Sequence, residues 1–327
     1  MRRVAAIGLW LVPALAAAAE PDPQQHEIDV SVDIGVESGA NAALFDAMYI
    51  FTPAGIDRRD VLPAIVRRFE RHPSAVWARI AHLGATRETV TGIRLGGIYQ
   101  PFDGALYLQG EGGVERDLTN FDRPTTIQGG EYGYFAARLR GEVGFRPTDL
   151  WSIGAFYEAR PVIGTDTDDS LPPSLQSERS GGEHTFGATT TFVTPGERLF
   201  ATVDGFGYIA DWTFTGFYPG DTTIHGFGAD LRMAYQLTFW TSLQLRGTIT
   251  SNHWVDARAG DSGQGVIVGP LDRQATSGGG ALDLVYWHQS RFAFRFSLGG
   301  GYRGATPQHA TRATGIFSLG IGTQLRF

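Results

Sequence analysis

The sequence predicts an all-β chain closed into an antiparallel up-and-down transmembrane β-barrel. Three features predict it. Segments of about ten residues alternate apolar with polar or small side chains. Short turns and long loops follow one another in alternation. The final strand keeps the same alternation and closes on an aromatic residue, Phe327.

The first strand sets the pattern. Within residues 27–37, Ile28, Val30, Val32, Ile34 and Val36 share one face, and Asp29, Ser31, Asp33, Gly35 and Glu37 share the other. Successive side chains of a strand point to opposite faces, so one face is apolar and its reverse polar. Residues 135–145 repeat it. Phe135, Ala137, Leu139, Gly141, Val143 and Phe145 lie on one side, with Arg138, Arg140 and Glu142 on the other. In 151–160, Trp151, Ile153, Ala155 and Tyr157 oppose Ser152, Gly154, Glu158 and Arg160. A tilted strand of roughly 9–11 residues crosses a membrane.

Connections come in two kinds. Tight turns fall at 146–149, 194–197, 237–238 and 288–291. The stretches 164–183, 211–223, 251–277 and 304–312 are longer and rich in Gly, Asp, Ser, Thr and Pro. Transmembrane barrels carry short periplasmic turns and longer extracellular loops, whereas a soluble sandwich has no reason to keep the two in phase. Counting back from Phe327, each long loop falls outside and each short turn inside. An even strand number then places both chain ends on the periplasmic side.

One region departs from the pattern. After Asp57-Arg58-Arg59-Asp60, the residues Val61, Leu62, Ile65, Val66 and Phe69 follow helical spacing. Pro63 sits in the first turn, where a missing N–H is tolerated. A short amphipathic helix is expected around residues 58–71. Residues 43–51 before it and 75–83 after it read as strands, which gives fourteen strands with the helix on the periplasmic side. Treating the whole of 43–83 as an extracellular excursion gives twelve, the alternative.

Composition agrees. The chain has 327 residues, 44 of them glycine, and 12% are aromatic, which suits a chain of many strands and turns. The formal net charge is −7, so the basic patch of a nucleic-acid partner is not expected. Absence of cysteine excludes a thiol catalyst, a cysteine metal site and any disulfide. Arg2 and Arg3, the apolar stretch from Val4 to Leu15 and the small residues Ala17, Ala18 and Ala19 read as a secretory signal peptide over 1–19. Residues 20–327 are then one barrel domain. The apolar stretch is short of the roughly 20 residues of a spanning helix.

Charges recur on the face opposite the apolar one: Arg94, Glu111, Arg138, Arg140, Glu142, Glu158, Arg160, Asp204, Asp230, Arg232, Arg246, Asp283 and Arg295. They are expected to line the lumen. They form either a charge-lined solute path or a lumen packed by ion pairs. Arg140 with Glu142, Glu158 with Arg160, and Asp230 with Arg232 place opposite signs two residues apart on one face. That reads as a mixed-sign network and not as a filter of one sign.

Phe145, Trp151, Tyr157, Trp240, Tyr286, Trp287 and Phe292 cluster near strand ends, as interfacial girdles do. Trp212, Phe214, Phe217 and Tyr218 are expected in an external loop, to bind a ligand or to cap the mouth. The run Gly260-Asp261-Ser262-Gly263 resembles a serine-protease nucleophile segment, but Gln264 breaks the match. Eight dispersed histidines show no metal-ligand spacing, and no cofactor motif is present. His225 falls on the lipid-facing parity, where lipid-acting barrels place a catalytic histidine.

The final segment, with Phe317, Leu319, Ile321, Leu325 and Phe327 at alternate positions and Thr323 as the weak one, is similar to the C-terminal assembly signal of bacterial outer-membrane β-barrels. The resemblance implies recognition by the barrel-assembly machinery and residence in the outer membrane of a Gram-negative cell, in contact with its lipid. No named porin or transporter family is matched, and the oligomeric state stays open. Three functions remain: a porin-like passive channel for small polar solutes, a structural or surface-interaction barrel with a filled lumen, and a lipid-acting enzyme.

If the 58–71 helix lies on the periplasmic side, protease added to intact cells leaves 67–71 uncut, and lysis exposes it. Cleavage in intact cells overturns that placement.

Overall fold

A computed structural model describes residues 24–37, 40–56, 74–85, 88–100, 105–121, 130–148, 150–165, 177–196, 198–216, 220–238, 240–256, 260–261, 267–268, 271–288, 291–304 and 314–327. The strands are β1 (Gln24–Glu37), β2 (Ala40–Ile56), β3 (Ser74–Ala85), β4 (Glu88–Tyr99), β5 (Leu106–Phe121), β6 (Gly130–Thr148), β7 (Trp151–Thr165) and β8 (Ser177–Val193). They continue as β9 (Leu199–Gly216), β10 (Gly220–Thr238), β11 (Thr241–Asp256), β12 (Gly260–Asp261), β13 (Ile267–Val268), β14 (Leu271–His288), β15 (Phe292–Arg303) and β16 (Thr314–Arg326). β12 and β13 pair only with each other; the other fourteen strands form one closed antiparallel barrel, each bonded to its sequence neighbours in that barrel. The expected helix at 58–71 and the signal peptide at 1–19 fall outside the described residues.

Closure is made by β1 and β16, in register from Glu27↔Arg326 to Glu37↔Ile316. His26 and Phe327 extend the seam by exchanging backbone hydrogen bonds of 2.9 Å in both directions. Their rings stack with centroids 5.4 Å apart, and His26 Nδ1 lies 2.7 Å from the Tyr49 hydroxyl of β2. A ring without edges is what a sheet in hydrocarbon needs, because no water is present there to satisfy free N–H and C=O groups.

The two faces divide as the alternation requires. Ile34, Ile93, Leu95, Leu139, Ile249, Phe296, Leu319 and Ile321 are exposed on the outside. The intervening residues point inward and include most of the charge. An apolar outer band around a polar interior is the architecture of an outer-membrane β-barrel. Aromatics gather outside near the short turns: Tyr99, Phe145, Trp151, Tyr235, Trp240 and Tyr286 are all exposed there. Trp287 is the exception to the expected girdle. It is 1% exposed and points inward, under the Arg326 guanidinium at 4.0 Å.

Threonines close three of the short turns. The hydroxyl oxygens of Thr148, Thr194 and Thr238 accept hydrogen bonds from the backbone N–H of Leu150, Leu199 and Trp240 at 3.3, 3.1 and 3.2 Å, a local substitute for a ladder bond. Gly196, in the second of these turns, has φ +86°, a left-handed conformation open to glycine at little cost.

The strands are longer than expected. β6 and β10 have 19 residues each, while β3, β4 and β15 have 12. One side of the barrel therefore stands taller on the outer end. This corrects the loop assignment at 211–223. β9 and β10 run through it in register to Gly220↔Phe214. Trp212 is buried in the β9 wall against Ala210 and Ile224 and is not an exposed loop aromatic. Phe217 and Tyr218 lie outside the described residues.

Leu319 lies across from Ile34 and Leu298 on the outer face. Replacing it with arginine should cost about 2–4 kcal/mol, as for a basic residue near the bilayer midplane, read by urea unfolding in lipid vesicles. No loss would mean that this face does not meet hydrocarbon.

Candidate functional site

The lumen is built on two unlike walls. On β4 to β8 the inward residues are long and charged, and they interlock. Glu115 of β5, 3% exposed, sits at the hub. It forms an ion pair with Arg160 of β7 at 2.9 Å, and accepts hydrogen bonds from Arg138 of β6 at 3.3 Å and, closely, from Arg94 of β4. Arg94 also reaches Glu111 at 3.6 Å, and Trp77 Nε1 donates to Glu111 at 3.1 Å. Arg138 pairs with Glu158 at 2.9 Å, and Arg140 lies 3.3 Å from Glu142 and 3.8 Å from Glu158. Tyr107 donates to Glu142 at 3.0 Å. Its ring lies over Gly144, where a methyl group would overlap it. A side chain at position 144 would displace this tyrosine from the wall.

The same wall continues to the outer end. Arg160 reaches Asp117 at 3.5 Å and Glu183 at 3.3 Å. Tyr134 donates to Asp117 at 2.7 Å. The Arg179 guanidinium is held between two rings, 3.5 Å from Trp212 and 4.2 Å from Tyr134, and lies 3.9 Å from Glu183. Cation–π contacts of this kind strengthen when desolvated.

The opposite wall, on β14 to β16 with β1 and β2, carries inward residues such as Ala281, Ser297, Gly299, Ser318, Gly320 and Ala42. Little side-chain volume projects there. A cavity of about 470 Å³ opens beside it, lined by residues that include Asp33, Leu44, Asp230, Arg232, Arg246 and Ser297. Arg232 pairs with Asp204 at 3.2 Å and Arg246 with Asp283 at 3.0 Å. Nearer the periplasmic end, Arg326 pairs with Glu27 at 2.8 Å, Gln324 donates to Asp29 at 2.8 Å, and Arg79 pairs with Asp46 at 2.6 Å. Arg295 interacts electrostatically with Asp29.

All thirteen charges singled out from the sequence lie on inward positions, but their pairing differs from the expected one in two cases. Arg140 does meet Glu142. Glu158, however, bonds Arg138 and Arg140 across the strands, and Arg232 bonds Asp204 of β9 in place of Asp230. Arg140 and Glu158 are directly opposed, whereas Arg232 is opposed to Thr202 and reaches diagonally to Asp204, a separation that a long side chain still spans. The hub Glu115 and its neighbour Asp117 were missed, although both share the parity of Glu111. Arg179 and Glu183 were missed because their stretch read as loop.

His225 is exposed on the outer face, opposite Ile209 and His253. No hydrogen bond orients it among the described residues. Gly260 and Asp261 form β12, and Ser262 lies outside the described residues. Among the described residues no cluster of three or more His, Asp or Glu side chains could hold a metal ion.

No protein-family model matches the chain, and no curated protein sequence matches it. Solved barrels resemble it in shape. A monoaromatic hydrocarbon channel, CymD, is 8% identical over 94% of this chain and 89% of its own, with a TM-score of 0.49. An outer-membrane channel from Pseudomonas putida F1 is 12% identical over 95% of this chain and 100% of its own, with a TM-score of 0.48. OmpT, an outer-membrane protein of Vibrio cholerae, is 10% identical over 95% and 100%, with a TM-score of 0.43. These are likenesses of overall shape.

Glu115→Gln removes the charge that three arginines share. Breaking a buried pair from one side costs about 3–5 kcal/mol, and thermal unfolding in detergent should show a loss of that size. Glu111→Gln, at the edge of the network, should cost less. Equal small losses would mean that Glu115 is not the hub.

Proposed function

We propose that the chain is a narrow passive channel of the outer membrane for small polar solutes. The unequal lumen carries this reading. Charged side chains of β4 to β8 fill one half, and the small residues facing them leave a cavity of about 470 Å³, within the range of small-molecule sites. Barrels of about eight strands are filled by their own side chains, and 16–18 strands leave a wide aqueous channel. Fourteen strands with a half-filled interior fit a path narrower than a general diffusion pore. The ion-paired wall is fixed by mutual contacts, and it would hold the path open without closing it.

Purified protein in planar bilayers should give discrete conductance steps. Ser297→Trp, which adds bulk at the cavity, should shrink them, while a substitution on the outer face such as Ile249→Leu should leave them unchanged. A folded barrel that gives no steps at any voltage overturns the channel reading and favours a filled barrel that acts through its surface.

A further inference from the structure

Ion pairing inside the lumen leaves an imbalance at the cavity. Both of its arginines are already neutralised from behind. Arg232 is held by Asp204, and Arg246 by both carboxylate oxygens of Asp283, at 3.2 and 3.0 Å. Asp204 and Asp283 are buried, so these pairs are built into the wall. Asp33 of β1 and Asp230 of β10 line the same cavity. Among the described residues neither has a cationic partner, and the Asp33 Oδ1 atom is buried without any hydrogen-bond donor.

The fold places both carboxylates there. Asp33 lies across β16 at Gly320, where a methyl group would overlap its carboxylate. Glycine at that position lets the acid lie along the wall. Asp230 is in register with Asp204, and Arg232 is turned toward Asp204. The arginine thus cancels the buried acid and leaves the cavity-facing one.

We propose that Asp33 and Asp230 make this cavity cation-preferring, so that small cations and cationic organic solutes such as amines pass in preference to anions. The inference rests on the channel reading above. Rings or pairs of one sign of charge at a constriction select the opposite sign, and low-dielectric walls focus that field.

Reversal potentials across a KCl gradient, with the full-length protein in planar bilayers, test it. One uncompensated charge met at contact distance in water is worth about five-fold in favour of a cation and as much against an anion, and potassium should exceed chloride by at least about five-fold. Asp33→Asn and Asp230→Asn should each lower the ratio, and together bring it near one with the step size kept. Asp283→Asn frees Arg246 and should move the ratio toward chloride. A heat-dependent gel shift reports whether each variant is a closed barrel; should the double variant not close, the two near-isosteric single variants decide. Steps with a ratio at or below one, or a ratio unmoved in the variants, overturn this inference alone. Absence of steps overturns the channel reading and takes the inference with it.

Discussion

Everything in this molecule follows from having no free sheet edge in hydrocarbon. Each backbone N–H and C=O in the bilayer needs a partner, and the only partners are other strands. The β1–β16 register supplies the last set. Once the ring is closed, side chains on successive residues face different solvents. The outward set has to be apolar. The inward set is free to carry charge, provided those charges find one another.

The interior shows how that condition is met. Burying an arginine or a glutamate alone is costly, and pairing offsets the cost only with good geometry. On β4 to β8 the chain solves this collectively. Glu115 serves three arginines on three strands, and these arginines also reach Glu111, Asp117, Glu158 and Glu183. Removing side chains from the facing wall keeps the interior from being packed solid. Ala42, Ala281 and Ser318, which line the cavity, do there what the arginines cannot do opposite: they leave volume. The two walls are one arrangement, in which charge is concentrated where it can be neutralised and space is left where it cannot be.

The fold was largely legible in the sequence because a period of two is a one-dimensional signal. Ile28 to Val36 announces its facing without reference to any other strand, and so does the final segment from Phe317. Fourteen strands were within reach because 43–51 and 75–83 carry the same alternation as the rest. Strand ends were less legible. Glycine, aspartate and threonine in 211–223 look like loop, yet cross-strand pairing carries β9 and β10 through them. Inward facing could be read from parity. Pairing could not, since a partner is chosen by register between strands, and register is set by the whole ring. Parity put Asp230 beside Arg232; register put Thr202 opposite Arg232 and Asp204 within its diagonal reach. The inward turn of Trp287 was hidden for a simpler reason, that it follows Tyr286 directly and only one of two adjacent aromatics can face out.

The seam has a further consequence for how the molecule comes into being. Glu27 and Arg326 pair across 299 positions of sequence, and His26 meets Phe327. Contacts of such separation form late and slowly, because loop closure must come before any reward. The first strand cannot complete its hydrogen bonding until β16, the last, has been made. Until the ends meet, β1 and β16 are two open edges of an aggregation-prone sheet. The sheet therefore stays unfinished from synthesis until its ends have met. How long it does so is written into the distance between its first strand and its last.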